Sequence, residues 1–146
     1  MQIAIGSDHR GYQLKEKLIE RLKQLKHAVD DEGACDTESV DYPDIAAVVA
    51  RKVSRGEAER GILICGTGIG MAIAANKFTG VRAAPINDDL SAELSRRHND
   101  LNVLCLSGDM VGDALMERIL DIWLTTEFEG GRHGRRVQKI ADLETD

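Results

Sequence analysis

Cys65 is followed at once by Gly66-Thr67-Gly68-Ile69-Gly70, a thiol beside a glycine-rich loop. A free thiol has a pKa of about 8.5, and a nearby cation or helix N-terminus lowers it toward the range of a working base. Glycines let backbone N–H groups approach a negatively charged atom closely, and a helix start adds the positive end of its dipole. Together these features suit a reaction that makes an anion next to an acid or base. His98, beside Asn99 and Asp100, is a candidate general acid or base. Asp8 and His9, just after the first apolar run, carry similar weight. Arg132 and Arg136 are four apart and share one helical face. Guanidinium forks suit phosphate, so this pair in an acidic chain points to a phosphorylated small molecule.

Other chemistries fit the loop less well. A cysteine phosphatase places an arginine six positions after its nucleophile, and Met71 stands there. No Lys-Ser or Lys-Thr pair follows Gly70, so the Walker A pattern fails. The glycine spacing also misses the dinucleotide fingerprint. A cysteine in a strand is commonly only core. That reading suits Cys105, inside an apolar run, whereas the position of Cys65 at a strand end favours function. Cys35 lies in a polar stretch and reads as incidental. His27 reads as structural, His133 as an aid to anion binding, and Arg135 as a solvated charge.

These residues must be positioned by strands and helices that alternate along the chain. Strands are expected over 2–6, over 27–31 more weakly, up to Cys65, and over 81–85 and 102–106. The first helix carries Leu14, Leu18, Leu22 and Leu25; the second has Pro43 in its first turn and runs through Ile45, Val48, Val49 and Val53 to near Gly56. A third reaches Lys77, and a fourth carries Leu90 and Leu94 behind Asn87, Asp88 and Asp89. Val111, Leu115, Ile119 and Ile122 mark a fifth, and Val137 and Ile140 a last short one. Alternation of this kind predicts one α/β domain over 1–146, with a mainly parallel five-stranded sheet. Ligands bind beyond the carboxyl ends of such strands, so Asp8, His9 and the Cys65 loop should share an edge. His98 precedes its strand and falls at the other end, which favours a site shared between subunits. The basic segment from about 130 to 146, set off by Gly130-Gly131, is placed to reach a partner subunit.

The chain has 146 residues and a net charge of −6, with 42% hydrophobic and 30% charged residues. An acidic balance disfavours nucleic acid and anionic membranes as partners. No apolar run approaches membrane-spanning length, and Met1-Gln2-Ile3 opens directly into a strand pattern, so no leader is expected. Three cysteines without metal-ligand spacing point to reduced thiols in the cytoplasm.

Gly6-Ser7-Asp8-His9, Asp41-Tyr42-Pro43, Ile64-Cys65-Gly66-Thr67-Gly68-Ile69-Gly70, Ala74-Ala75-Asn76-Lys77, His98-Asn99-Asp100 and Gly130-Gly131-Arg132-His133 occur in this order across nearly the whole chain. The set resembles the type B ribose-5-phosphate isomerase family, which includes galactose-6-phosphate and allose-6-phosphate isomerases. The resemblance implies a Rossmann-like α/β/α sandwich, a homodimer or tetramer with shared active sites, and aldose–ketose isomerisation through an enediolate with no metal and no cofactor. It implies that Cys65 moves the proton between C1 and C2 while backbone N–H groups of Gly66, Thr67, Gly68, Ile69 and Gly70 hold the enediolate oxygen. His98 would open the sugar ring with help from Asp8 and Thr67. Asn99 and Tyr42 would contact the sugar, and His9, Arg132 and Arg136 the phosphate. One branch of the family uses a glutamate directly after the last loop glycine instead of the cysteine; Met71 stands there, so the cysteine mechanism applies. Many members carry a phosphate-binding arginine after the fifth strand, where this chain has Asp109. Asp109 is expected either to bind a sugar hydroxyl or to cap the fifth helix. A four- or six-carbon sugar phosphate as substrate, or a phosphosugar-binding module without turnover, are the other readings.

Overall fold

Gly61-Ile62-Leu63-Ile64-Cys65 is apolar without alternation, as a strand covered on both faces requires. It forms most of β3 (Arg60–Cys65), beside β1 (Gln2–Ser7) and β5 (Val103–Ser107). Strands β2 (Ala28–Asp31) and β4 (Ala83–Pro85) complete the sheet. The helices are α1 (Tyr12–Gln24), α2 (Tyr42–Ser54), α3 (Ile69–Ala75), α4 (Asp89–Asn99), α5 (Asp113–Thr125) and α6 (Arg132–Asp142), followed by a 3₁₀ turn, Leu143–Thr145. These elements come from a computed structural model that describes residues 1–110 and 112–145.

The strand order is β2-β1-β3-β5-β4, and every described pairing is parallel, so the sheet is wholly rather than mainly parallel. One face packs Ile3, Ile5, Ile62, Ile64, Leu104 and Leu106 against α1, α4 and α5; the other packs Ala4, Leu63, Cys65, Val103 and Cys105 against α2 and α3. The result is the expected three-layer sandwich. The chain leaves β1 to one side for β2 and enters β3 on the other, so a topological switch point lies between β1 and β3. Ser7 pairs with Ile64 and Cys65 with Ser107, which brings the turns after β1, β3 and β5 to one edge.

Several expected boundaries move, each for a local reason. The fourth strand starts at Ala83, not Val81, because the Arg82 N–H donates to Asn102 Oδ1 at 2.7 Å instead of to a ladder. The third helix stops at Ala75, two residues short of Lys77. The Asn76 side chain instead meets the β4 backbone, donating to Ala83 O and accepting from the Ala83 N–H, both at 2.8 Å. The buried stripe of α5 is Met116, Ile119, Leu120, Trp123 and Leu124, with Leu115 and Ile122 only partly covered. Val111 lies outside the described residues. Leu25 and Leu90, expected on buried stripes, are exposed. His27, read as structural, has a polar partner in the fold: its Nδ1 lies 3.1 Å from the Met1 amino group.

Candidate active site

The turn after β3 is built by the main chain. The Gly68 N–H donates to Cys65 Sγ at 3.0 Å, and the Ile69 N–H donates to Thr67 Oγ1 at 3.2 Å. Gly68 caps α3 with φ +79°, a conformation that glycine adopts without strain. The Gly108 N–H donates to Cys65 O at 2.8 Å, and the Ser107 hydroxyl to Gly66 O at 2.7 Å. Cys65 is buried, while Thr67 and Ile69 face outward. Tyr42, at the start of α2, lies across the loop: a β-carbon on Gly70 would fall 2.6 Å from its ring.

Asp8 is buried, and its Oδ1 accepts the N–H groups of Arg10 at 3.0 Å and Gly11 at 3.1 Å. One carboxylate oxygen therefore shapes the turn that leads into α1. The Asp8 N–H donates to Ile64 O at 3.1 Å, which sets this turn beside the Cys65 loop. His9 Nδ1 accepts the Val40 N–H at 3.3 Å. Asp109 does not cap α5, whose cap position is Gly112; its carboxylate pairs with Arg10 instead. Arg10 belongs to the polar run Ser7-Asp8-His9-Arg10 after the first strand but carried no role read from the sequence. Its signal was the opposite charges in two turns that a parallel sheet brings to one edge.

Cys105 is buried one strand away, and burial, with a smaller contribution from Cys65, pushes its thiol up and keeps it neutral. That agrees with its reading as core.

His98 stands elsewhere. It lies in the last turn of α4, before β5, whose five residues put the two edges about 13 Å apart. Its ring stacks on His133, with centroids 4.1 Å apart and planes 9° from parallel. Glu129 Oε2 lies 3.8 Å from His98 Nε2 and 3.5 Å from His133 Nε2. Arg97 fixes the other Glu129 oxygen with donors at 2.6 and 3.0 Å. The Arg97 contact holds the Glu129 carboxyl below its usual range. Burial, then the charges of His98 and Arg132, holds the His133 imidazole below its usual value. His98, Glu129 and His133 could be taken for metal ligands. Parallel stacked rings, however, direct their in-plane lone pairs side by side rather than toward a common point, which suits orientation of one imidazole by the other. Glu129 was another residue unmarked in the sequence, lying in an acidic stretch with no spacing signal.

One chain thus brings Asp8, His9, Tyr42, Cys65, the loop and Asp109 to the carboxyl edge. It keeps His98, Asn99, Arg132 and Arg136 together near the opposite edge, the last three exposed. A cavity of about 700 Å³ opens between β4, α4 and α6, but its walls, with Val81, Ile86, Leu94 and Ile140, are chiefly apolar. Of the predicted residues only Asn99 lines it.

The ribose/galactose isomerase family model matches residues 3–140. The chain belongs to the ribose/galactose isomerase family. It is 47% identical to ribose-5-phosphate isomerase B of Escherichia coli K12, over 98% of this chain and 96% of the relative. Among solved members, ribose-5-phosphate isomerase B of Clostridium thermocellum superposes with a TM-score of 0.97 at 50% identity, covering 99% of this chain and 98% of the other. The Mycoplasma genitalium enzyme, solved with bound ribulose 5-phosphate, gives 0.96 at 45% identity over 99% and 97%.

Proposed function

We propose that this protein interconverts ribose 5-phosphate and ribulose 5-phosphate. The observation that carries the reading is Cys65 at the switch point, with the Gly68 N–H on its sulfur and a glycine loop beside it. The ribulose 5-phosphate bound by the Mycoplasma genitalium relative supports this sugar. In the forward direction the Cys65 thiolate takes the C2 proton of the open-chain aldose, and the C2–H electron pair becomes the enediolate double bond. Negative charge collects on the C1 oxygen, where loop N–H groups can meet it. The hydroxyl proton on O2 passes to O1, and the Cys65 thiol then returns its proton to C1 as the O2 electron pair forms the C2 carbonyl, leaving a C1 hydroxyl. Thr67 and Asp8 assist the opening of the sugar ring, and Tyr42 closes the side over Gly70.

Ring opening falls to His98 of a second copy of the chain, and the phosphate to His9 with Arg132 and Arg136. Asn99 contacts the sugar. A composite site answers the separation of Cys65 from His98 within one chain. The exposure of Val48, Ile69 and Ile73 beside the loop supports a subunit interface there. So does α6, the basic segment expected to reach a partner: it leaves Ile140 open and buries only His133. Three free cysteines support a reducing, cytoplasmic setting.

NMR in deuterated buffer tests the reading: the C2 proton of ribose 5-phosphate should exchange with solvent as ribulose 5-phosphate forms. A panel of four-, five- and six-carbon aldose phosphates should give the highest kcat/KM for ribose 5-phosphate. Faster turnover of a six-carbon phosphate would replace the substrate, and no exchange on any of them would leave a binding module.

A further inference from the structure

Arg10 and Asp109 sit in two different turns, after β1 and β5, and meet over the first residue of the loop. A β-carbon on Gly66 would lie 3.1 Å from Asp109 Oδ2 and 3.2 Å from Arg10 Nη1. The backbones beneath them are fixed. The Arg10 N–H donates to Asp8 Oδ1, and the Asp109 N–H to Gly66 O at 3.3 Å. Gly108 packs so closely that a β-carbon there would lie 2.8 Å from Arg10 O. The Arg10 side chain is 59% exposed and that of Asp109 38%, so the pair adds little to stability. Its position explains it better. A lone carboxylate here would repel an anionic substrate one residue from Cys65. Arg10 cancels that charge, and the pair with Asp109 leaves donors of a five-donor guanidinium facing solvent beside His9.

We propose that Arg10 is a phosphate-contacting residue of the substrate site and that Asp109 positions its guanidinium. The inference rests on the sugar-phosphate reading above. It adds a cation from the same edge as Cys65 to those expected from α6.

The test uses the full chain with ribose 5-phosphate as substrate and inorganic phosphate as competitive inhibitor. Arg10→Met should raise both the KM and the phosphate Ki about ten-fold or more, the effect of losing one charge-assisted hydrogen bond. Its kcat should stay within about three-fold, because the phosphate is held equally in ground and transition states. Arg10→Lys should recover part of the phosphate affinity. The exchanged pair Arg10→Asp with Asp109→Arg should recover most of what Arg10→Asp alone loses, since a guanidinium again faces the same space. An unchanged phosphate Ki in Arg10→Met, or a loss confined to kcat, overturns the proposal. If the unaltered protein turns over no aldose phosphate, the functional reading fails; a ³¹P NMR titration of Arg10→Met with inorganic phosphate still decides the contact.

Discussion

Around Cys65 the geometry is set by main-chain hydrogen bonds and absent β-carbons, whereas around His98 it is set by side chains that titrate. The Gly68 amide on the sulfur, the Gly108 amide on Cys65 O and the Tyr42 ring against Gly70 hold the first region without any charge that pH removes over the neutral range. The second region depends on a stacked His133, on Glu129, and on the grip of Arg97 upon Glu129. A rigid cradle suits the step in which charge develops, because preorganised donors need not move. An imidazole that gives and takes protons needs neighbours whose charge can respond. Removing the Cys65 thiol should therefore cost chemistry, and altering the second region should change pH behaviour and substrate form.

The largest expected effect is Cys65→Ala, which should slow C2 proton exchange about a thousand-fold or more while leaving phosphosugar binding largely intact. Cys105→Ala should keep most activity, because the Cys105 thiol is buried and held neutral. Near-normal turnover by Cys65→Ala would end its role as base. Mixing Cys65→Ala with Arg136→Ala subunits probes the shared site. Random pairing into two-fold dimers should leave about one site in four intact, so activity returns on mixing. No recovery would count against residues contributed by two chains.

Next in size, His98→Asn should slow cyclic substrates about a hundred-fold. It should affect a four-carbon aldose phosphate, which forms no phosphorylated furanose, far less. Equal losses on both substrates would remove His98 from ring opening. Gly70→Ala tests the cradle from the other side. The added carbon meets the Tyr42 ring at 2.6 Å, so the ring must shift, and KM should rise about ten-fold with a smaller change in kcat. Unchanged kinetics would place Tyr42 outside the substrate's reach.

How much of this was legible beforehand follows from how local each signal is. The sheet, the layers and the Cys65 loop were readable because apolar runs, Pro43 and the glycines act within a few residues. The stripe of α5 was misjudged because Trp123 is fixed by tertiary partners, its indole N–H on Leu101 O at 3.1 Å and the Arg60 guanidinium 5.1 Å from its ring centre. The early end of α3 likewise depends on Asn76 meeting Ala83 across the chain. Around the loop, Cys65 and Asp8 were marked by their places after strands, and Tyr42 only by the resemblance of Asp41-Tyr42-Pro43; all three lie at the carboxyl edge. Arg10 and Glu129 were not assigned a role, because each matters through a residue far away: Asp109 for one, His98 and His133 for the other. The separation of His98 from Cys65 was legible, since a residue before its strand falls at the opposite edge.

The smallest effect expected is on stability, and its sign distinguishes the two regions. The His133 imidazole sits below the ordinary 6.5, first through burial and then through the charges of His98 and Arg132. His27 is lowered too, first by burial and then by the Met1 amino group. Above 6.5 both groups are neutral in folded and unfolded chains, and their stability contribution is complete. As pH falls through 6.5 toward the folded values, the unfolded chain takes up the protons first, so the native state loses ground. Glu129, lowered by Arg97, has the same sign in a more acidic window, below its ordinary 4.5. The urea midpoint should therefore fall as pH drops from about 7 to 5. His133→Asn and His27→Asn should each flatten part of that slope, and Gly70→Ala should leave it unchanged, because no titrating group near the loop is altered. A slope that His133→Asn leaves intact would assign the pH response to His27 rather than to the region around His98.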